Sequence, residues 1–170
     1  KYIEKNFKIK PVGFYGNFKN TKFKKNKNGI LLSFGTAEMS YKNRIQEAIN
    51  LLKKQKKSKF PIYIEPKFYQ NDLKKYNLHK ATYDDKMFNN IAVAIIKPGL
   101  GTITDCLSRG ITILTYTRGQ NKEFDYNAKI LEKNNLGINF SYITSALDFA
   151  NLIIDQKKFL KNKFNIAKNL

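Results

Sequence analysis

Six consecutive residues, Ile91-Ala92-Val93-Ala94-Ile95-Ile96, carry no polar side chain, and Gly99-Leu100-Gly101-Thr102 follows them almost at once. So short and so apolar a run has no solvent face. It reads as a strand covered on both sides, as in parallel sheets sandwiched between helices. The stretch from Thr102 to Arg109 then reads as a helix, stopped by Gly110. A strand that passes through Gly-x-Gly into a helix aims unpaired backbone N–H groups beyond the strand end. That geometry suits an anion, phosphate above all.

The rest of the chain repeats the alternation. Residues 1–28 are polar, basic and interrupted by Pro11, Gly13 and Gly16. They read as a connector, with a short strand around Lys8 to Tyr15, and residues 29–170 read as one domain. Ile30 to Phe34, closed by Gly35, is a buried strand. Ile45, Ala48, Ile49 and Leu52 lie at helical spacing within Tyr41 to Lys56. Pro61 to Glu65 reads as a second strand, Phe68 to Tyr76 as a short helix and Ala81 to Tyr83 as a third strand. Asp84 or Asp85 caps a helical turn through Met87 and Phe88. After Ile91 to Ile96 and its helix come a strand at Ile111 to Tyr116, a helix at Lys122 to Asn134 and a strand at Gly137 to Phe140. Ser145 to Gln156 and Lys157 to Lys168 are the closing helices. This order predicts an α/β, Rossmann-like fold, a mostly parallel sheet with helices on both faces. Ligands of such sheets lie beyond the carboxyl ends of the strands.

Composition narrows the function. The 170 residues do not begin with Met, so the chain reads as part of a longer protein. No apolar run approaches the ~20 residues that span a bilayer. The net charge is +19, from 32 basic and 13 acidic residues. The lysines are scattered over most helices, with clumps at Lys22 to Lys27 and Lys53 to Lys59, while Arg44, Arg109 and Arg118 are the only arginines. Arginine supplies the bidentate contacts that read nucleic acid, so we expect no nucleic-acid partner. The clumps suit a peripheral attraction to anionic membrane. One cysteine, Cys106, and one histidine, His79, make a zinc site unlikely and fit a reducing, cytoplasmic compartment. We expect no metal and no cofactor.

Candidate binding residues follow from the strand ends. Gly99 and Gly101 let backbone approach a ligand, and the N–H groups of Gly101, Thr102 and Ile103 are expected to be unpaired. The Thr102 hydroxyl adds a donor, and the Asp105 carboxylate, one turn further on, can accept from two ribose hydroxyls. Gly35 and Thr36 end the first strand and can face a diphosphate. Tyr83 ends the third strand and can hold a base. Glu123 and Asn127, four apart, share one helix face toward the same rim, and a carboxylate with an amide suits sugar hydroxyls. Each feature alone also fits an ordinary turn, a structural amide or a solvated charge. Together they favour a ligand. His79 reads as an exposed loop residue and Cys106 as packing rather than a nucleophile.

The segment Tyr83 to Ala128 resembles the donor-binding, C-terminal half of GT-B fold glycosyltransferases, in particular the family that includes the peptidoglycan N-acetylglucosaminyltransferase. The resemblance rests on Gly99-Leu100-Gly101-Thr102-Ile103-Thr104-Asp105, Gly110-Ile111-Thr112-Ile113-Leu114 and Glu123-Phe124-Asp125-Tyr126-Asn127-Ala128. Ile30 to Thr36 looks like the family's first strand and glycine turn, Tyr83-Asp84-Asp85 with Met87 like its Phe-x-Asp-x-Met region. Val12-Gly13 with Gly16-Asn17 looks like the crossover from its N-terminal domain. It implies a nucleoside-diphosphate sugar, with UDP the expected nucleotide. Asp105 would hold ribose, and Gly101, Thr102, Gly35 and Thr36 would face the diphosphate, with Gly99 among the donor-binding residues. Tyr83 would meet the base through its backbone, and Glu123 and Asn127 would meet the donor sugar. Asp105 stands where Glu is usual, Glu123 where Gln is usual, and Ala37-Glu38 where a second Gly is usual.

In such enzymes the acceptor and the base belong to the N-terminal domain, so the catalytic residues and the acceptor of this chain are not assigned. No Asp-x-Asp metal motif is present, in keeping with backbone dipoles stabilising the leaving diphosphate. The rival readings are a nucleotide-sugar epimerase or hydrolase, or a non-catalytic donor-binding subunit that needs a membrane partner. A dinucleotide-binding dehydrogenase would want Gly-x-Gly-x-x-Gly after the first strand, and Thr104 stands at the third glycine of a later one.

Overall fold

The computed structural model describes residues 27–35, 39–54, 58–117 and 121–156, with backbone alone at 39–42. The connector assigned to 1–28 and the last predicted helix lie almost wholly outside the described residues. Thr36 and Arg118 lie outside them too.

Six parallel strands form one sheet in the order β3-β2-β1-β4-β5-β6 among the described residues. They are β1 (Gly29–Ser33), β2 (Ile62–Ile64), β3 (Leu78–Lys80), β4 (Ile91–Ile96), β5 (Thr112–Tyr116) and β6 (Gly137–Phe140). The helices are α1 (Met39–Lys54), α2 (Asp85–Phe88), α3 (Leu100–Ser108), α4 (Lys122–Lys133) and α5 (Ile143–Asp155). Two 3₁₀ segments, Pro66–Phe68 and Asn71–Tyr76, occupy the stretch read as a short helix.

The pleat divides the core into two layers. Ile30, Leu32, Val93, Ile95 and Leu114 pack with Ile45, Ile49, Ala150 and Ile153 of α1 and α5. Leu31, Ala94, Ile96 and Ile113 pack with Met87, Ile103, Cys106 and Leu131 of α2, α3 and α4. Both faces of the central strands are therefore dry, which is why β4 reads as an unbroken apolar run, while β1 and β5 bury Ser33, Thr112 and Thr115 among their apolar residues. Cys106 is fully buried, and burial pushes its thiol up to about 12, so it packs rather than reacts.

Two expectations shift. The third strand is Leu78–Lys80, not Ala81 to Tyr83. Leu78 anchors it in the core, and the Ala81 N–H still reaches the Ile64 carbonyl at 2.8 Å before the chain turns away. Tyr83 lies beyond the strand with a left-handed φ of 56°. His79 accordingly sits on β3 and not in an exposed loop. Its ring packs 5.4 Å from that of Tyr63 and its Nε2 lies 3.0 Å from Asn77 Oδ1. Helix α3 also starts at Leu100, two residues before the expected Thr102.

Candidate functional site

The strand order reverses direction between β1 and β4, because the chain moves outward through β2 and β3 before returning to β4. Helix α1, which follows β1, packs on one face of the sheet and α3, which follows β4, on the other, and such a switch point opens a crevice between the carboxyl ends. The segments after β1, β3, β4 and β5 all begin at that rim. It gathers Gly35, Tyr83, Gly99, Gly101, Thr102, Glu123 and Asn127 on one edge of the sheet, with Asp105 further along α3.

The turn after β4 is open. Gly99 is the N-cap of α3 and supplies no side-chain cap. By contrast Asp84 Oδ1 caps α2 through the Met87 N–H at 2.7 Å, and Asn121 Oδ1 caps α4 through the N–H of Glu123 and Phe124 at 2.9 and 3.3 Å. The Ile103 N–H, expected to be unpaired, donates to the Gly99 carbonyl at 3.0 Å. The cause is the earlier helix start: Ile103 makes the first intrahelical bond. The N–H groups left without an intrahelical acceptor are those of Leu100, Gly101 and Thr102. Among the described residues a Cβ built at Gly99 or Gly101 would meet nothing within 4 Å, so none of them fills the space over the turn.

Asn127 supports this turn from below. Its side chain is buried and its Nδ2 donates to the Pro98 carbonyl at 2.9 Å. One amide on α4 thereby fixes the backbone that leads into α3. Glu123, four residues earlier, stays exposed at the first turn of α4.

Asp105 is exposed, and its Oδ1 accepts from Arg109 Nη1 at 3.1 Å. Arg109 Nη2 donates to Asp85 Oδ1 at 3.0 Å, and the guanidinium lies 4.5 Å over the Phe88 ring. Arg109 thus joins α3 to the start of α2 and holds Asp105 in place. Asp105 and Arg109 stand four apart in the sequence, so that half of the link was readable there. Asp85 comes to it only through the fold.

Gly35, after β1, is held from within. Gly35 has a φ of 72°, a conformation open to glycine at little strain. Its N–H donates to Glu65 Oε1 at 2.5 Å, and its carbonyl accepts from Lys67 Nζ at 3.0 Å. Ser33 Oγ lies 3.5 Å from the same Glu65 oxygen and 3.1 Å from the Tyr83 hydroxyl. Burial raises the affinity of the Tyr83 hydroxyl for its proton, so it stays a neutral phenol. Lys97, at the end of β4, carries its ammonium 4.5 Å over the Phe124 ring, and a Cβ at Gly35 would lie 3.2 Å from that nitrogen. Glu65, Lys67, Lys97 and Ser33 escaped the sequence reading. Only Lys97 had a signal, its place between the apolar run and Pro98.

Among solved structures the chain is similar to the Streptomyces sp. SF2575 glycosyltransferase SsfS6 complexed with thymidine diphosphate. The match has a TM-score of 0.56 and 17% identity, over 93% of this chain and 39% of that one. It is similar to a UDP-glucose: anthocyanidin 3-O-glucosyltransferase in complex with UDP, with a TM-score of 0.58 and 15% identity, over 83% of this chain and 35% of that one. It is also similar to Acinetobacter baumannii MurG, with a TM-score of 0.57 and 14% identity, over 84% of this chain and 45% of that one. The fold is that of these glycosyltransferases. The chain spans between 35% and 45% of the length of these solved structures. The likeness is one of fold, and the side chains at the rim are this chain's own. No known family profile and no curated protein matches the sequence. Among the described residues no helix is long and apolar enough to cross a membrane.

Proposed function

We propose that this chain is the donor-binding half of a glycosyltransferase that moves a sugar from a nucleoside-diphosphate sugar, UDP being the expected nucleotide. The observation that carries the reading is the open start of α3 at the switch point, with Asp105 one turn along the same helix. The unpaired N–H groups of Leu100, Gly101 and Thr102, with the Thr102 hydroxyl, face the diphosphate and stabilise the charge that develops on it as the sugar leaves. Gly99 keeps that approach clear of a side chain. Gly35 and Thr36 border it from the β1 side. Asp105 offers its Oδ2 to the ribose, because Arg109 takes Oδ1. Tyr83 meets the base through its backbone. Glu123 and the Oδ1 of Asn127 meet the sugar. The bound nucleotides of two fold neighbours, thymidine diphosphate and UDP, support a nucleoside diphosphate as the ligand class.

Isothermal titration of the full-length protein with UDP and TDP tests the reading. Micromolar binding that falls sharply in Asp105→Ala is the expected result. No binding of either nucleotide by the unmodified protein overturns it. A contact of the lysine clumps with acidic membrane belongs to the same reading. Lys59 and Lys53 are partly committed to Asp155 at 2.6 Å and Asp72 at 3.7 Å, which weakens that contact. Sedimentation with phosphatidylglycerol vesicles measures what is left.

A further inference from the structure

Glu65 is the one buried carboxylate among the described residues, with 4% of its surface exposed. Its partners are unevenly shared. Oε1 takes the Gly35 N–H and the Ser33 hydroxyl, whereas Oε2 is buried with no hydrogen-bond partner. Two residues later Lys67 donates to the carbonyl of the same glycine. The segment after β2 thus grips both peptide groups of Gly35 with two charged side chains. A buried carboxylate oxygen without a donor is an unfavourable arrangement, and where it persists it points to a role outside stability.

The gripped turn is the one that the proposed function sets beside a diphosphate. An anion arriving there repels an ionised Glu65 and leaves a neutral one indifferent. The neutral acid keeps the grip, because its carbonyl oxygen Oε1 still accepts from Gly35. The proton then resides on Oε2, the oxygen that has no donor of its own. We propose that Glu65 is a positioning residue whose protonation is coupled to the ligand: a nucleoside diphosphate binding beside the Gly35 turn draws one proton from solvent onto Glu65.

The surroundings agree with that direction. Burial already raises the proton affinity of Glu65 above the ordinary carboxylate range, offset in part by the Gly35 N–H and the charge of Lys67. The charged groups at the Gly35 turn are Lys67, which donates to the Gly35 carbonyl, and Lys97 from the end of β4, whose ammonium would lie 3.2 Å from a Cβ at Gly35. Ser33 on β1 and the phenol of Tyr83 beyond β3 complete the surroundings. Among the described residues Glu65 is thus the buried carboxylate placed to answer to an anion at this turn.

This inference rests on the proposed nucleotide site, and the test separates the two. Full-length protein and its Glu65→Gln variant are titrated with UDP at intervals from pH 5.5 to 8. The nucleotide's own titration cancels in the ratio of the two affinities. The amide copies the neutral acid, so the variant is expected to gain on the unmodified protein as pH rises. Each unit by which UDP raises the Glu65 pKa is worth about tenfold in that ratio at the upper end. A ratio flat across the range overturns the coupling and leaves the nucleotide site standing. Absence of UDP and TDP binding to the unmodified protein overturns both. Should the variant fail to fold, titration of the unmodified protein at pH 7.5 in two buffers of different ionisation enthalpy counts the proton directly. Uptake approaching one proton supports the coupling, and zero uptake overturns it.

Discussion

The two turns that face each other across the switch point are built in opposite ways. The turn after β4 is held by one neutral side chain, Asn127, acting on a carbonyl, and its N–H groups are left pointing outward. The turn after β1 is held by two charged side chains, and its first N–H is already taken by Glu65. Among the described residues, the start of α3 keeps N–H groups without an intrahelical acceptor, whereas the peptide groups of Gly35 are already taken. On the proposed reading the principal anion contact falls to α3, and Gly35 belongs to a wall whose charge state matters.

Asp105→Ala attacks the vacant side where it is most exposed to the ligand. Loss of a hydrogen bond to a charged group is worth about 1.5–3 kcal/mol, roughly ten- to hundredfold in UDP affinity. Because the carboxylate is exposed and its ion pair with Arg109 lies at the surface, the melting temperature should hardly move. Equal affinity in a calorimetric titration would strip Asp105 of its assigned role.

Asn127→Ala removes the support of the turn together with the Oδ1 assigned to the sugar. The Pro98 carbonyl loses its buried partner, and the expected penalty is about 1–3 kcal/mol of stability. Thermal unfolding reads this as a fall of several degrees, with UDP affinity falling alongside. A drop in affinity at unchanged stability would mean that Asn127 acts on the ligand alone.

Gly35→Ala tests the charged side. A side chain at that positive φ costs about 1–2 kcal/mol, and its Cβ presses on the Lys97 ammonium. Urea unfolding is expected to show the loss, and an alanine tolerated without penalty would mean that the β1 turn is not held in this conformation.

The smallest effect should be the pH dependence of stability. Glu65 binds its proton more tightly in the folded chain than at its reference value of 4.5. The folded state therefore carries more protons than the unfolded state between those two values. Stability falls as pH rises through that window and stays lower above it. Glu65→Gln should abolish its part of the slope, by about 1 kcal/mol for a buried unpaired group. An identical slope in both proteins would show that the carboxylate is better solvated than its burial implies.

How far the sequence reached depended on how local each signal was. The apolar runs of β1, β4 and β5, the helical spacing of Ile45, Ala48, Ile49 and Leu52, and the Asp84 cap all act within a few residues. They were readable for that reason. Strand β3 was misplaced because three residues, with one fully buried anchor at Leu78, carry no period to detect. The Gly99 to Asp105 stretch announced an anion site, yet which of its N–H groups stayed free depended on where α3 began. Glu65 gave no warning at all, since a glutamate at a strand end normally meets water. Only the placement of β2 against β1 buries it.

By itself the sequence determined that the strands are covered on both faces and alternate with helices. It also determined that a glycine-rich turn enters α3, because side-chain periodicity and backbone freedom are properties of neighbouring residues. The tertiary structure alone decided that β1 lies beside β4, so that two turns separated by more than sixty residues share one crevice. It alone decided that Glu65 claims the Gly35 N–H while the start of α3 stays unclaimed. Strand order and register choose hydrogen-bond partners across the chain, and no local pattern encodes that choice.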